Sequence, residues 1–392
     1  MPYRKFLGDQ LFTGEVTLGS DKVLITDEQG KIESIVDVAE AGENVLKCNG
    51  IISPAFINCH CHLELSHLLG RIVPGVTLTE FASLVMDQRN MGIDELPSRI
   101  KQEMDKMWQT GIVGVGDICN TDLSLQAKEA SKIGFHNFIE VSGWDPGVAH
   151  SRFQAALSVY NKFRKAGQRA SITPHAPYSV SSPLWEKMSP LFGKNIVSIH
   201  SQESREEDKL FKSGNGKFLD LYAKLNISNS DFVPAGTSSL KYFFPKISHA
   251  SSVILVHNTF ANEADIEYLI DNRKSGTRLS LCVCPRANKF IENAIPPIEM
   301  FCKKGMHIVI GTDSLASNLS LNILDEFKYI AKYFPTIQTP QILRWATLNG
   351  AVALEWDDKL GSFEPGKIPG VINITKIRDS KITDASEVVR LV

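Results

Sequence analysis

The sequence has no apolar stretch near the ~20 residues needed to span a bilayer, and no apolar signal-peptide core follows its first residues. It also lacks an excess of positive charge, because 42 Lys and Arg residues against 44 Asp and Glu residues give a formal net charge of -2. We therefore expect a small-molecule partner, with neither nucleic acid nor membrane. The cysteines are only seven and scattered, which predicts reduced thiols and a cytoplasmic location, not a disulfide framework.

Short apolar runs rich in Val, Ile and Phe recur along the middle of the chain and alternate with segments of helical period. This alternation is typical of buried parallel strands covered by helices, and eight strand-helix units favour an α/β fold of the (β/α)8 TIM-type barrel class. The predicted strands are residues 55–59, 112–118, 135–141, 170–174, 195–199, 253–256, 279–283 and 306–311, and the predicted helices include 152–165, 203–224, 263–272 and 321–333.

The two ends of the chain differ from the middle. Short β-like pieces at residues 16–18, 23–26 and 32–36 are separated by Gly and Asp turns, and an apolar segment at 371–374 follows several Gly and Pro residues. We expect this last segment to pair with the N-terminal strands. Because 392 residues exceed what one core usually supports, we predict a catalytic barrel over residues 55–354 and a small discontinuous β-sandwich domain from residues 1–54 and 355–392.

Residues that can bind a metal ion follow the predicted strands. His60 and His62 follow the first strand, His200 the fifth and Asp313 the eighth. Because the C-terminal ends of barrel strands converge on one face, these four side chains should meet there. Three imidazoles and one carboxylate suit one divalent metal ion per chain, zinc first and iron or manganese as alternatives. A position left open would hold a water molecule whose pKa falls toward ~7.

Two further residues are candidates for proton transfer. Glu203 comes three residues after His200, and a helix starting there would hold its carboxylate beside the ligand. The alternative is an exposed glutamate at a helix start. His257 follows the sixth strand and could orient the attacking water, with a satisfied core histidine as the alternative. By strand alternation, Cys59 and Cys61 should point away from the histidines as small buried hydrophobes.

Four sequence runs resemble motifs of the amidohydrolase superfamily, in the branch of the chlorohydrolase-like, S-adenosylhomocysteine and aminodeoxyfutalosine deaminases. They are NCHCHLE at residues 58–64, HSQES at 200–204, CPRAN at 284–288 and GTDSLASN at 311–318. The resemblance covers essentially the whole chain, including the expected β domain. The chain departs from the usual pattern before its last apolar segment, where the family has an Ala-Asp pair, and after His257, where Asn258 stands in place of Gly or Cys.

The resemblance implies roles for these same residues. Glu203 would be the proton shuttle, His257 would orient the attacking hydroxide, and Asp313 would also accept a proton from the attacking water. No lysine ends the fourth strand to bridge two metals, so a single ion is expected. The implied metal ligands are His60, His62, His200 and Asp313.

Substrate contacts are less sharply indicated. The resemblance implies that His175, after the fourth strand, contacts the substrate. Arg286 begins the loop after the seventh strand and could bind a substrate carboxylate, or form a salt bridge to an acidic loop instead. A lid made by the first loop would contact substrate through residues that could equally be plain solvated surface, namely Glu64, Glu80, Asp87 and Arg89.

The leading functional hypothesis, which the resemblance implies, is hydrolytic deamination of an aminated heteroaromatic ring. The expected substrate is the adenine of a 5′-modified nucleoside, such as 6-amino-6-deoxyfutalosine or S-adenosylhomocysteine. One alternative keeps the metal and hydrolyses an amide, a cyclic imide or an aryl halide. A remote alternative is a non-catalytic barrel that serves as a scaffold. A homodimer is the default expectation for the oligomeric state.

Overall fold

The computed structural model describes residues 3–392. The N-terminal segment is a series of short strands, of which β3, β4 and β5 match the predicted β-like pieces. The other four have only three or four residues and lack a clear apolar alternation, so the sequence did not predict them. The seven strands are β1 (Arg4–Leu7), β2 (Gln10–Phe12), β3 (Thr17–Leu18), β4 (Lys22–Thr26), β5 (Ile32–Asp37), β6 (Val45–Lys47) and β7 (Ile51–Pro54).

Eight parallel strands follow, each at the position of a predicted strand. They pair in two arcs, β8-β9-β10-β11 and β12-β13-β14-β15. Their almost complete burial explains why continuous apolar runs marked them in the sequence. They are β8 (Phe56–Cys61), β9 (Ile112–Cys119), β10 (Gly134–Val141), β11 (Arg169–Pro174), β12 (Ile196–Ser201), β13 (Ser252–His257), β14 (Arg278–Val283) and β15 (His307–Ile310).

Hydrogen bonds join the two arcs at both seams. Between β11 and β12, the backbone N–H of Ser198 donates to Thr173 Oγ1 at 2.9 Å. Between β15 and β8, the backbone N–H groups of Thr312 and Asp313 donate to the carbonyl oxygen of His60 at 3.0 and 3.1 Å. An eight-stranded parallel sheet bridged at both seams is the arrangement of a TIM-type barrel.

The two faces of the barrel wall bury different sets of side chains. In β13, Ile254 and Val256 belong to an inner cluster that also contains Trp356 at the base of the barrel. Val253 and Leu255 belong to an outer cluster between the strands and the helices. This alternation is the two-residue period of a strand. The apolar side chains fill the inside and the outside of the barrel wall, and the polar residues lie at its C-terminal mouth.

Fourteen α-helices connect and cover the strands of the described chain. Within residues 3–392, no helix is both long and apolar enough to cross a membrane. The helices are α1 (Leu78–Gln88), α2 (Leu96–Gln109), α3 (Leu125–Glu129), α4 (Ala149–Lys165), α5 (Ser182–Met188), α6 (Arg205–Ser213), α7 (Lys217–Lys224), α8 (Ser239–Ile247), α9 (Glu263–Asn272), α10 (Pro285–Glu292), α11 (Ile298–Lys303), α12 (Ile323–Tyr333), α13 (Thr339–Ala346) and α14 (Leu348–Ala353). Short 3-10 turns lie at Leu63–Leu68, Ile93–Glu95, Pro146–Val148, Pro177–Ser179 and Ser189–Leu191.

The predicted single helix over residues 203–224 is wrong in two respects. It starts two residues late, at Arg205, because Ser204 is extended and caps the helix by accepting from the backbone N–H of Glu206 at 3.3 Å. It is also divided into α6 and α7, because Gly214 (φ +67°) and Gly216 (φ +108°) both adopt positive φ. Glu203 therefore lies ahead of the helix and not on its first turn.

The C-terminal strands β16 (Val371–Thr375) and β17 (Glu387–Arg390) return to the N-terminal region. As predicted, the segment at 371–374 pairs with an N-terminal strand, since β16 is antiparallel to β7. The strands form two sheets, ordered β5-β4-β1-β6 and β17-β16-β7-β2-β3. One buried apolar cluster draws on both sheets and contains Phe6, Leu11, Leu24, Ile32, Ile52, Phe363 and Val371.

Candidate active site

Four polar side chains from three barrel strands converge at the C-terminal mouth, and we call them the metal-ligand cluster. They are the predicted ligands His60, His62, His200 and Asp313. His62 Nε2 lies 3.1 Å from His60 Nε2 and 3.3 Å from His200 Nε2. Asp313 Oδ1 lies 3.6 Å from His60 Nε2 and 3.4 Å from His62 Nε2.

These distances fit one divalent metal ion. A tetrahedral ion bound at 2.0–2.1 Å places its donor atoms roughly 3.3 Å apart, which is the spacing found here. Burial lowers the pKa of His60 and, further, that of His200, so both imidazoles are neutral and can offer a lone pair. Burial alone would raise the pKa of Asp313, but the neighbouring imidazoles of His60, His62 and His257 lower it overall. The donor set is therefore ready to bind a cation.

The backbone is strained where it presents these groups. Asp313 (φ +58°), Gln202 (φ +46°) and His257 (φ +73°) all adopt the left-handed region that non-glycine residues seldom occupy. Gln202 connects His200 to Glu203, so the turn aims both side chains into the same space. Strain of this kind persists only where the surrounding structure holds it, and it is concentrated at functional sites.

Hydrogen bonds to surrounding residues hold the side chains of the metal-ligand cluster in position. Ser317 Oγ donates to Asp313 Oδ2 at 2.5 Å. His200 Nδ1 donates to the carbonyl oxygen of His175 at 2.7 Å, which leaves Nε2 for the metal-ligand cluster. Asn58 Nδ2 donates to Thr312 Oγ1 at 2.7 Å and ties β8 to the segment that carries Asp313. Such outer contacts orient metal ligands.

Glu203 lies next to the metal-ligand cluster, although not by the predicted helical geometry. Its side chain is 4% exposed, and Oε1 lies 3.5 Å from His257 Nε2. Burial, followed by the charges of Asp313, Glu292 and Glu207, raises the pKa of Glu203 well above its usual range. A carboxyl group that keeps its proton at neutral pH is suited to donate it.

His257 is the last residue of β13 and is almost fully buried. Its ring packs against the imidazoles of His60 and His200, with centroid distances of 5.6 and 5.3 Å. Asn288 Nδ2 lies 2.9 Å from its Nδ1, which directs Nε2 toward Glu203. Burial lowers the pKa of His257 to about 3. Asn288 belongs to the CPRAN run at residues 284–288, but the sequence did not predict its contact with His257.

His62, His200 and Asp313 of the metal-ligand cluster line a cavity of about 430 Å³. A polar part of the lining, which we call the polar wall, includes His175, which the sequence predicted as a substrate contact. A mainly apolar part, which we call the apolar wall, comes from α1 and α7. Residues that line the cavity include Phe81, Val85, Arg89, Asn120, Glu140, Trp144, Arg152, His175, Tyr178, Leu221, Tyr222 and Ile227.

Four of the predicted substrate contacts, namely Glu64, Glu80, Asp87 and Arg286, lie outside this lining. Glu64 is buried and accepts from the backbone N–H groups of Asn120 and Thr121 at 3.0 and 3.1 Å, and burial raises its pKa to about 7. Glu80 is exposed and caps α1, accepting from the backbone N–H of Thr77 at 2.9 Å. Both carboxylates are thus engaged by the local backbone.

Arg286 follows its predicted alternative, a salt bridge to an acidic loop. Its Nη1 lies 3.5 Å from Asp325 Oδ2 and donates to Ser320 Oγ at 3.0 Å. The guanidinium is therefore turned toward the start of α12 and away from the cavity. Arg89, also named in the sequence as part of a first-loop lid, does line the cavity.

Cys59 and Cys61 are buried, but on different sides of the barrel wall. Cys59 belongs to the inner cluster and Cys61 to the outer cluster. The register between β8 and β9 shifts between Asn58 and Cys61, which breaks the alternation assumed in the sequence. The prediction of buried thiols holds, and the prediction that both point the same way is wrong.

Glu140 is a cavity residue that the sequence analysis did not predict. It stands next to the end of β10, which was a predicted strand, so the strand-end rule pointed to this position. A strand buried on both faces gives no alternating pattern, however, and the facing of a single residue cannot be read from it. Its carboxylate lies 3.8 Å from His200 Nδ1.

Comparisons with known proteins agree with this architecture. A sequence model described as the amidohydrolase family matches residues 51–386. An aminodeoxyfutalosine deaminase from Nitratiruptor sp. is 26% identical over 390 residues, covering 95% of this chain and 89% of its own length. A crystal structure of Helicobacter pylori aminofutalosine deaminase in complex with methylthio-coformycin superposes with a TM-score of 0.82 at 21% identity, covering 97% of this chain and 93% of that one.

A third similar protein is an adenosine deaminase from Xanthomonas campestris whose crystal structure has bound zinc. It superposes with a TM-score of 0.68 at 20% identity, covering 94% of this chain and 84% of that one. At these identities the two structural likenesses show a shared fold.

Proposed function

The chain belongs to the amidohydrolase family, and we propose that it is a metal-dependent hydrolytic deaminase acting on the adenine of a 5′-modified nucleoside. The observation that carries this proposal is the convergence of the metal-ligand cluster with the buried Glu203 side chain at one cavity. The relatives named for aminodeoxyfutalosine and adenosine deamination support the same reaction class.

We assign the metal-ligand cluster to one divalent ion, with zinc as the proposed metal. Three imidazoles and one carboxylate match the preference of zinc, and the similar Xanthomonas campestris protein holds zinc. When bound, the ion acts as a Lewis acid that lowers the pKa of a water molecule toward ~7.

The protein side chains then move the protons. Asp313 accepts a proton from the attacking water, whose oxygen forms a bond to the ring carbon that carries the amine. Glu203 donates a proton to the adjacent ring nitrogen, which takes up the electron pair of the opened C=N bond. The proton held by Asp313 passes to the amine, the C–N bond breaks, and ammonia leaves. Glu203 recovers its proton as the ring C=N bond re-forms.

The remaining cavity residues orient the reactants in this proposal. His257, held by Asn288, fixes the water molecule beside Glu203. His175 contacts the heteroaromatic ring from the polar wall. The apolar wall, with Phe81 and Leu221, accommodates the 5′ substituent. A small-molecule substrate of this size fits a cavity of about 430 Å³.

The test is a substrate screen that measures ammonia release from adenine nucleosides, guanine, cytosine and pterin compounds. We expect ammonia from a 5′-modified adenosine together with a change in the adenine absorption band. Glu203→Gln should reduce kcat by roughly 10²- to 10⁴-fold while the bound metal is retained. Glu186→Gln, at an exposed site on α5, is the matched control.

The same screen separates deamination from its alternatives. Chloride release from an aryl halide, or ring opening of a cyclic imide, with no ammonia from any amine would contradict the proposal. Purified protein without a bound divalent ion and without activity would favour a scaffold role instead.

We also propose that residues 1–54 and 355–392 form one β-sandwich domain. The buried cluster shared by their two sheets supports this assignment. Seven unpaired cysteines fit the reducing cytoplasm, where we place the enzyme as part of the same proposal.

A further inference from the structure

Glu140 presents an unused acceptor to the cavity. Its side chain is only 8% exposed, and it lies on the polar wall. One carboxylate oxygen, Oε1, accepts from Asn120 Nδ2 at 2.9 Å. The other oxygen, Oε2, is buried and has no hydrogen-bond donor among residues 3–392. A buried carboxylate oxygen without a donor is costly, so a ligand that supplies one is stabilised there.

The arrangement around Glu140 does not suit a second metal ion, although Glu140, His175 and His200 bring ligand-capable atoms within 4.8 Å of one another. The Nδ1 atom of His200 donates to the carbonyl oxygen of His175 at 2.7 Å and therefore carries its proton. It has no lone pair left for a cation. Its separation of 3.8 Å from Glu140 Oε2 is also too long for a hydrogen bond. Oε2 thus remains open to a donor from the substrate.

The chemistry of an adenine nucleoside limits what that donor can be. The exocyclic amine is the leaving group and must lie at the metal-ligand cluster, which His200 faces with Nε2. Glu140 lies instead beside Nδ1, on the opposite edge of that ring. The other ring nitrogens of adenine carry no hydrogen, and N9 is bonded to the sugar. Apart from the 5′ substituent, which the proposal places on the apolar wall, the donors that remain are the 2′- and 3′-hydroxyl groups of the sugar.

We propose that Glu140 is a specificity-determining residue that accepts a hydrogen bond from the 2′- or 3′-hydroxyl group of a ribonucleoside substrate. This inference rests on the proposed deaminase function. It selects a ribonucleoside over a free base and over a nucleoside that lacks the recognised hydroxyl group.

The experiment takes a 5′-modified adenosine that releases ammonia in the substrate screen, together with its 2′-deoxy and 3′-deoxy forms. It measures kcat/KM for all three with the wild-type protein, Glu140→Gln and the exposed-site control Glu186→Gln. In Glu140→Gln, the Asn120 amide holds the remaining oxygen, so the new NH2 group faces the cavity where Oε2 was. We expect the wild-type protein to lose about 10- to 100-fold in kcat/KM when the recognised hydroxyl is removed.

Glu140→Gln should lower the value for the parent nucleoside to that of the sensitive deoxy substrate. It should change the value for that deoxy substrate by less than about threefold. Glu186→Gln should behave as the wild-type protein does.

Two results would overturn the inference while leaving the deaminase function intact. Equal wild-type values for all three nucleosides would do so without any variant, and hence whether or not Glu140→Gln folds. A uniform loss on all three substrates in a folded, metal-loaded Glu140→Gln would show a role independent of the hydroxyl group. Ammonia from no 5′-modified adenosine in the screen with the metal-loaded wild-type protein would overturn the proposed function and this inference together.

Discussion

The metal-ligand cluster and the ion pair of Asp117 with Lys128 are both buried polar groups of one barrel, and their polar atoms are satisfied in opposite ways. Lys128 Nζ, on α3, lies 2.5 Å from Asp117 Oδ2 on β9 and 2.7 Å from Asn137 Oδ1 on β10, with both charged side chains fully buried. In the metal-ligand cluster, by contrast, ring nitrogens face each other at 3.1 and 3.3 Å. The burial of polar groups alone therefore does not identify a metal-binding site. The convergence of three imidazoles and a carboxylate at one place does.

The pKa directions express the same difference. Burial by itself lowers the pKa of Lys128, but the nearby Asp117 carboxylate and Cys119 raise it overall, so the ammonium keeps its charge. Burial lowers the pKa of His200 with no counteracting group among its causes, since the four neighbouring histidines lower it further. The ion pair buries a positive charge together with its negative partner. The metal-ligand cluster instead buries neutral imidazoles whose nitrogen atoms can bind an external cation.

Removing a ligand from the metal-ligand cluster should have the largest effect. Asp313→Ala deletes one of the four donor atoms and the proposed proton acceptor at once. We expect at least about a 10³-fold fall in kcat together with a reduced metal content. Metal analysis by plasma mass spectrometry and an ammonia assay measure the two effects. Asp271→Ala, at an exposed site in α9, is the control. A variant with full metal content and full activity would remove the basis for the assigned site.

Removing the cation of the ion pair should reduce stability rather than chemistry. Lys128→Met leaves Asp117 as an uncompensated buried charge, which costs about 3–5 kcal/mol. Unfolding in urea measures the loss. The double variant Asp117→Leu with Lys128→Met should recover part of it, because no buried charge remains. Recovery should be incomplete, since Asp117 Oδ1 also accepts from the backbone N–H of Leu63 at 2.9 Å. A stable Lys128→Met protein would show that the pair is not an internal charge balance.

Only one of these two buried polar regions could be predicted from the sequence. The metal-ligand cluster could be predicted because His60, His62, His200 and Asp313 follow strand ends, and barrel topology brings strand ends together. The ion pair could not, since Lys128 lies on a helix of five residues and nothing in its sequence context marks it as buried. The spacing along the sequence determines where on a strand or helix a residue lies, whereas packing determines which other side chain it contacts.

Several predicted substrate contacts lie outside the cavity lining for a related reason. Glu64 and Glu80 were placed by proximity in sequence to the first loop, but backbone N–H groups nearby bind both carboxylates. Arg286 forms a salt bridge with Asp325 and donates a hydrogen bond to Ser320. Glu140, which does face the cavity, lies in a strand that is buried on both faces, so the sequence shows no alternating pattern that would reveal its orientation. Strands and ligands follow from periodicity and topology, whereas cavity contacts depend on local competition for hydrogen bonds.

Loosening a ligand without deleting it should have an intermediate effect on the metal-ligand cluster. Ser317→Ala removes the hydroxyl group that donates to Asp313 Oδ2. We expect metal affinity to fall by about 10- to 100-fold with little change in overall stability. Competition with a chromogenic chelator measures the dissociation constant. Ser213→Ala, at an exposed site at the end of α6, is the control. Unchanged affinity would mean that the strained backbone alone positions Asp313.

Glu207 offers the most selective test, because it is buried with hydrogen-bond donors but without a counter-charge. Its Oε1 accepts from the backbone N–H of Gln202 at 3.0 Å and from Ser239 Oγ. Burial raises its pKa to about 8, against 4.5 ordinarily. Between these values the folded protein holds a proton that the unfolded chain has lost, so stability should fall as pH rises, by about 1.4 kcal/mol per pH unit.

Glu207→Gln should remove this slope, which urea unfolding of both proteins at pH 5, 6, 7 and 8 would measure as a growing difference in favour of the variant. Above pH 8 the difference should level off, because the carboxyl group has then ionised in both states. Glu186→Gln should keep the wild-type slope. If Glu207→Gln ran parallel to the wild-type protein across this range, the carboxylate would be stabilised by its two donors as well as Lys128 is by Asp117. A buried charge would then need no opposite charge in this barrel, and the contrast drawn between the two regions would lose its physical basis.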